Sequence, residues 1–119
     1  MAQIRGERVN EEMKKVVSSI IFEMKDPRIS PMSSITTMEV SPDLKYAKAR
    51  VSVYDEDESV RKGTVDALNH AAGFIAHEAG KRVQIRRVPS FKFELDESIA
   101  YSVRIAKLLD ELNKDKNEG

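Results

Sequence analysis

The sequence predicts an α+β domain in which a three-stranded sheet carries helices on one of its faces. Three observations predict it. Apolar residues recur at helical spacing across the first two dozen positions, residues 46–54 alternate between apolar and polar, and a glycine-interrupted helical stretch gives way to a second extended segment. A hairpin and one distant strand then make a small sheet, and the amphipathic helices around it need a face to bury.

The first element is a helix from about Ile4 to Met24, because Val9, Met13, Val16, Val17, Ile20 and Met24 fall on one stripe. Asp26-Pro27 ends it, since the residue before a proline is pushed out of the α region. Phe22 lies opposite the stripe, and residues 26–31 form a loop whose one cation is Arg28. Ile35 to Ser41 is the first strand, with Thr36, Met38 and Val40 on one side, and Ser41-Pro42-Asp43 supplies the turn. In the second strand Ala47, Ala49, Val51 and Val53 face one way, while Tyr46, Lys48, Arg50, Ser52 and Tyr54 face the other. That polar face interleaves cations with tyrosines. It suits RNA, whose bases stack on aromatic rings, and equally the wet face of any antiparallel sheet.

The acidic run Asp55 to Glu58, with Ser59, stands where a helix N-terminus favours negative charge and a capping side chain. Behind it Val60, Thr64, Leu68, Ala71, Ile75 and Ala79 make a buried stripe. Glycine in a helix costs roughly 1 kcal/mol relative to alanine, so Ala71 and Gly73 mark a structural kink or a point of close approach. His70 and His77 project from the opposite side. Seven helical residues rise about 10.5 Å, too far for two ligands each about 2 Å from one metal, so no metal site is expected there. Gly80 stops the helix, and the extended segment after it ends in Phe91, Phe93 and Leu95, with Lys92 and Glu94 outward. Pro89 lacks an amide donor and marks an edge or a bulge. A last helix from about Ser98 places Tyr101, Ile105, Leu108, Leu109 and Leu112 on a stripe that packs on the body. Asn113 to Gly119 holds no apolar residue, so residues 1–112 form one domain and 113–119 a disordered tail.

A chain of 119 residues with 40% apolar and 34% charged residues is one globular domain with a modest core. Cysteine is absent, which excludes disulfides and thiolate metal sites and fits a reducing compartment. The first twenty residues carry too many charges for a secretory h-region, and no apolar run approaches the roughly 20 residues of a membrane span. The expected location is the cytoplasm, with no membrane partner. The formal net charge of zero hides a segregation: acids gather at 55–58, whereas Lys81, Arg82, Arg86, Arg87 and Lys92 stand between Gly80 and Phe93 without one Asp or Glu. A small-residue bend feeding a basic strand suits a polyanion, and nucleic acid is the commonest; a solvated strand is the plainer reading of the same residues.

Signatures of catalysis are missing. The five glycines fit neither G-x-G-x-x-G nor the P-loop spacing, no Gly-x-Ser-x-Gly elbow occurs, and neither histidine has a sequence context that makes it an oriented base. No enzyme, cofactor or small-molecule substrate is expected. Phosphate contact is assigned mainly to Lys81, Arg82, Arg86 and Arg87, with Lys45, Lys48 and Arg28 as weaker contributors. The rival reading is a protein-binding module whose outer sheet face or last helix docks on a partner protein.

Several stretches together resemble the ribosome-binding factor A family, from about Arg8 to Leu112. They are Lys25-Asp26-Pro27-Arg28-Ile29, then Val40-Ser41-Pro42-Asp43-Leu44 leading to Ala47-Lys48, then Ala71-Ala72-Gly73, and finally Arg87-Val88-Pro89 followed by Phe93-Glu94-Leu95-Asp96-Glu97-Ser98. Ser102, and Ser30-Pro31 after the Asp-Pro-Arg-Ile loop, depart from the family pattern, which has glycine at these places. The resemblance implies a type II KH-like fold with a helix–kink–helix in place of the Gly-x-x-Gly loop, Ala71 and Gly73 matching the Ala-x-Gly at the bend. Without that loop the usual clamp on single strands is unavailable, and contact spreads over basic side chains. It further implies a monomeric, non-catalytic ribosome biogenesis factor that binds the 30S subunit and 16S rRNA. Its role would be late maturation and 5′-end rRNA processing, with a link to cold adaptation.

Overall fold

The computed structural model describes residues 2–83 and 87–118; of residues 2–7, 99–103 and 115–118 only the helical path is described. The elements run α1 (Ala2–Met24), β1 (Ser33–Val40), β2 (Tyr46–Val53), α2 (Glu58–His70), α3 (Ala72–Arg82), β3 (Ser90–Leu95) and α4 (Ser98–Glu118). The sheet order is β1-β2-β3, the hairpin pair antiparallel and β2-β3 parallel. A parallel pair needs a long crossover, and α2 with α3 supplies it. The result is an α+β fold with a mixed three-stranded sheet and the α–β–β–α–α–β order of a type II KH-like domain.

The core lies between one sheet face and three helices. Ala47, Ala49, Val51 and Val53 of β2 and Phe91 and Phe93 of β3 are buried against Met13, Val17 and Ile20 of α1, Leu68 of α2, and Ile75 and Ala79 of α3. Alanines at 47 and 49 keep the central strand low, so helices approach the backbone closely. Phe22 is exposed, as the stripe on α1 requires. Lys25 takes a left-handed backbone (φ 51°) directly after α1, so the helix turns off one residue before Asp26-Pro27.

Several expectations change. In β1 the register shifts between Ile35 and Thr37, so Thr36 bulges and both Ile35 and Met38 reach the core; strict alternation placed Thr36 with Met38. The bulge turns the Thr36 hydroxyl to Asp96 Oδ2, 2.7 Å away. Ser52 is buried despite lying in register with the polar face of β2. On α2, Val60 is partly exposed and Arg61 is buried instead, its Nη1 donating to the Asp55 carbonyl at 2.7 Å. Asp57 caps α2 by accepting from the Ser59 N–H, as the acidic run predicts. The helical stretch is interrupted at Ala71 (φ −90°, ψ 5°), two residues before the glycine.

Gly80 does not stop α3. The helix runs to Arg82 and leaves through an extended Val83, so Lys81 and Arg82 belong to its last turn, and β3 starts only at Ser90. Gly80 is small for another reason: a Cβ there would stand 2.5 Å from Val88 Cγ2.

The stripe on α4 does not pack. Ile105, Leu108, Leu109 and Leu112 are exposed, and the Tyr101 side chain lies outside the described residues. The helix meets the body through polar contacts: Asp96 accepts from the Ser98 N–H and Oγ at its start, and Lys107 pairs with Glu56 at 3.2 Å. It also continues to Glu118, through residues for which composition predicts disorder, with an i,i+4 pair between Lys114 and Asp110. The radius of gyration is 17.6 Å, against about 13 to 14 Å for a compact chain of this length. A projecting α4 accounts for the excess.

Candidate nucleic-acid interface

A groove of about 590 Å³ runs between α3 and the start of β3. One wall is a line of small residues, Ala72, Gly73, Ala76 and Gly80, at spacings that share a helix face; the other is Val88, Pro89, Ser90 and Phe91, with His77 and Lys81 also lining it. Because Ala72, Gly73, Ala76 and Gly80 raise nothing beyond a methyl group along this line of α3, a ligand can approach the helix backbone there.

β3 is an edge strand. Ser90 N–H donates to the Lys45 carbonyl and Asp96 N–H to that of Val51, so alternate residues face β2 while Phe91, Phe93 and Leu95 turn their backbone groups outward. At Phe93 both outward groups are taken by the Asn69 side chain. At Phe91 they face the groove.

The predicted cations divide into three sets. Lys81 lines the groove, Arg87 directly precedes its Val88–Pro89 wall in sequence, and the Lys45 carbonyl accepts from the Ser90 N–H in that wall. Arg82 turns instead toward α1, donating to Glu23 at 2.6 Å with Glu78 at 4.0 Å. Lys48 sits on the open sheet face with Glu94 at 3.3 Å, and Arg28 is held by its own loop, both Nε and Nη2 donating to Asp26. That Arg28 fork holds the Asp26 carboxyl below the usual carboxylate range. Arg86 lies outside the described residues.

The stretch that is free of acids in sequence is therefore not free of them in space. Glu78 comes from the preceding turn of α3, 3.3 Å from Lys81, and Glu23 comes from α1. Exposed pairs of this kind contribute about 0 to 1 kcal/mol, so a phosphate oxygen can displace either carboxylate at small cost. Asp55, Glu56 and Glu58 stand elsewhere, facing Arg104 and Lys107 across a cleft between α2 and α4. The groove residues Ala76 and His77, and the role of Gly80, are not singled out by the charge pattern. Their signal is the recurrence of small residues at 72, 76 and 80. Among the described residues no group of three or more His, Asp or Glu could hold a metal ion, and no helix is long and apolar enough to cross a membrane.

Residues 5–109 match the family model described as ribosome-binding factor A. A ribosome-binding factor A from Caldanaerobacter subterraneus subsp. tengcongensis is 48% identical over 117 residues, covering 98% of this chain and 95% of that one. Among solved structures, a ribosome binding factor A candidate from Thermotoga maritima, determined in solution, superposes with a TM-score of 0.70 at 27% identity, over 79% of this chain and 89% of that one. A Thermus thermophilus ribosome binding factor A homology model, fitted into a cryo-EM map of its complex with the 30S subunit, gives 0.62 at 21% identity over 76% and 93% of the two chains.

Proposed function

Because this chain belongs to the ribosome-binding factor A family, we propose that it binds the 30S ribosomal subunit through 16S rRNA, using the groove between α3 and β3 as the contact surface. The observation that carries this reading is a groove floored by small residues at a strand edge, with Lys81 in its lining and Arg87 and Lys45 joined to its wall through the backbone. Phosphate is held by the cations, while the low α3 wall lets a nucleotide lie against the helix. The reading assigns further phosphate contact to Arg82 and Arg86, with Lys48 and Arg28 contributing at longer range. The complex of the Thermus thermophilus relative with a 30S subunit supports the choice of partner.

In this reading a cytoplasmic monomer assists late maturation and 5′-end processing of 16S rRNA without catalysing cleavage, with a role in growth in the cold. This reading predicts that purified protein alone leaves precursor rRNA uncut. The interruption at Ala71 and the small residue at Gly73 shape the groove and stand where a Gly-x-x-Gly loop would be. A second reading, docking on a ribosomal protein or an assembly GTPase, is favoured by Tyr46 and Tyr54, both exposed. Charge reversal at Arg86 and Arg87 separates them: lost rRNA crosslinks with protein partners retained supports the groove, and the converse supports the sheet face.

A further inference from the structure

On α4, Ile105, Leu108, Leu109 and Leu112 are 38%, 54%, 57% and 60% exposed. A soluble chain rarely presents so continuous an apolar stripe without a use for it. Ile105, Leu108 and Leu112 are spaced three and four apart, the a–d–a spacing by which two helices pack knobs into holes, and Leu109 widens the seam. Lys107, which reaches Glu56 on the body, lies about 150° around the helix from the stripe's centre at 100° per residue, so attachment to the body leaves the seam open.

The edges of the seam say what covers it. Arg104 and Glu111 are exposed and seven residues apart, one on either side of Leu108 along the same edge. A copy laid antiparallel brings Arg104 of each chain to Glu111 of the other, two opposite-charge contacts related by a twofold axis. A parallel copy would set Arg104 against Leu109 and bring the two bodies to the same end of the helices. We propose that α4 is a self-association surface, on which a second copy of this chain lays its own α4 antiparallel along the Ile105–Leu108–Leu112 seam. The seam spans little more than two turns, so the pair is weak and forms only at high concentration; diluted chains act singly on the subunit. Arg104 also lowers the pKa of Glu58 across the cleft, an exposed attraction of the kind that competes weakly. The inference is independent of the groove, which α4 does not line.

The test is sedimentation equilibrium of the full chain over about a hundredfold concentration range. It uses the wild type, Leu108→Glu, Arg104→Glu, and Arg104→Glu combined with Glu111→Arg, with helix content by circular dichroism for each. The wild type approaches twice the monomer mass at the top of the range, and Leu108→Glu stays monomeric. Arg104→Glu raises the dissociation constant about tenfold, because both cross-pairs turn repulsive, and the charge swap restores it. A wild type that stays monomeric throughout, a dimer indifferent to Leu108→Glu, or a swap that fails to restore association overturns the proposal. If Leu108→Glu loses helix content, the charge variants, which leave the seam intact, decide. A monomeric wild type whose subunit binding falls with Leu108→Glu would assign the seam to a different protein, and the self-association would be wrong.

Discussion

Asn69 and Phe93 exchange two hydrogen bonds: the Phe93 N–H donates to Asn69 Oδ1 at 2.8 Å, and Asn69 Nδ2 donates to the Phe93 carbonyl at 2.9 Å. A side-chain amide on α2 thus acts as a one-residue strand against the free edge of the sheet. An unguarded edge is a template for pairing with other chains, and here the guard sits at the middle of β3. It also fixes α2 to the strand that carries the groove wall.

Asn69→Ala therefore removes both bonds and leaves two partly buried backbone groups unpaired. The expected loss is about 1 to 3 kcal/mol, read as a lower urea midpoint. Light scattering after heating should rise as well, because the edge is open. An unchanged midpoint means water replaces the amide without cost, and the guard has no energetic role.

Gly73 and Gly80 should respond oppositely to alanine. A Cβ at Gly73 meets nothing within 4 Å, so Gly73→Ala gains about 0.5 to 1 kcal/mol from helix propensity. A Cβ at Gly80 overlaps Val88, and overpacking costs about 1 to 3 kcal/mol, which offsets or exceeds that gain. Thermal melts of the two variants read the difference directly; Gly80→Ala as stabilising as Gly73→Ala contradicts the close approach of residue 88 to α3.

Asp96 ties three elements together. Its carboxylate accepts from Ser98 at the start of α4 and from Thr36 on β1, and these bonds hold its pKa below the ordinary value, Ser98 contributing most. Asp57 is lowered in the same direction by Ser59. A depressed folded-state pKa means stability that is fully present above the unfolded value, about 3.9, and is lost as pH falls through the lower folded value. Stability should thus decline below about pH 4, and Asp96→Asn should flatten that decline. An acid limb identical in the two proteins would remove Asp96 from the account.

Much of the fold was legible in the sequence because burial imposes periodicity. The β2 alanines and valines, the α1 stripe and Phe91-Phe93 all read correctly, since each touches one continuous core. The bulge at Thr36 was not legible, because the carboxylate its hydroxyl meets there belongs to Asp96, sixty residues away. The α4 stripe was misread for a related reason: a helical pattern says that a face is apolar, not that the same chain covers it. For the groove, the charge run pointed to Lys81 and Arg87 but also to Arg82, which helical geometry turns toward Glu23. Sequence proximity groups cations; the backbone then sorts them by face.

The groove as a phosphate-binding surface is tested most directly by the salt dependence of binding to purified 30S subunits, for the wild type and for Lys81→Glu with Arg87→Glu. Four or five phosphate contacts predict that log K falls against log salt with a slope of about 3 to 4, at roughly 0.7 to 0.9 per contact. The double variant should bind more weakly and with a slope smaller by about 2. Binding that ignores salt, or a double variant that binds as the wild type does, would contradict the central claim.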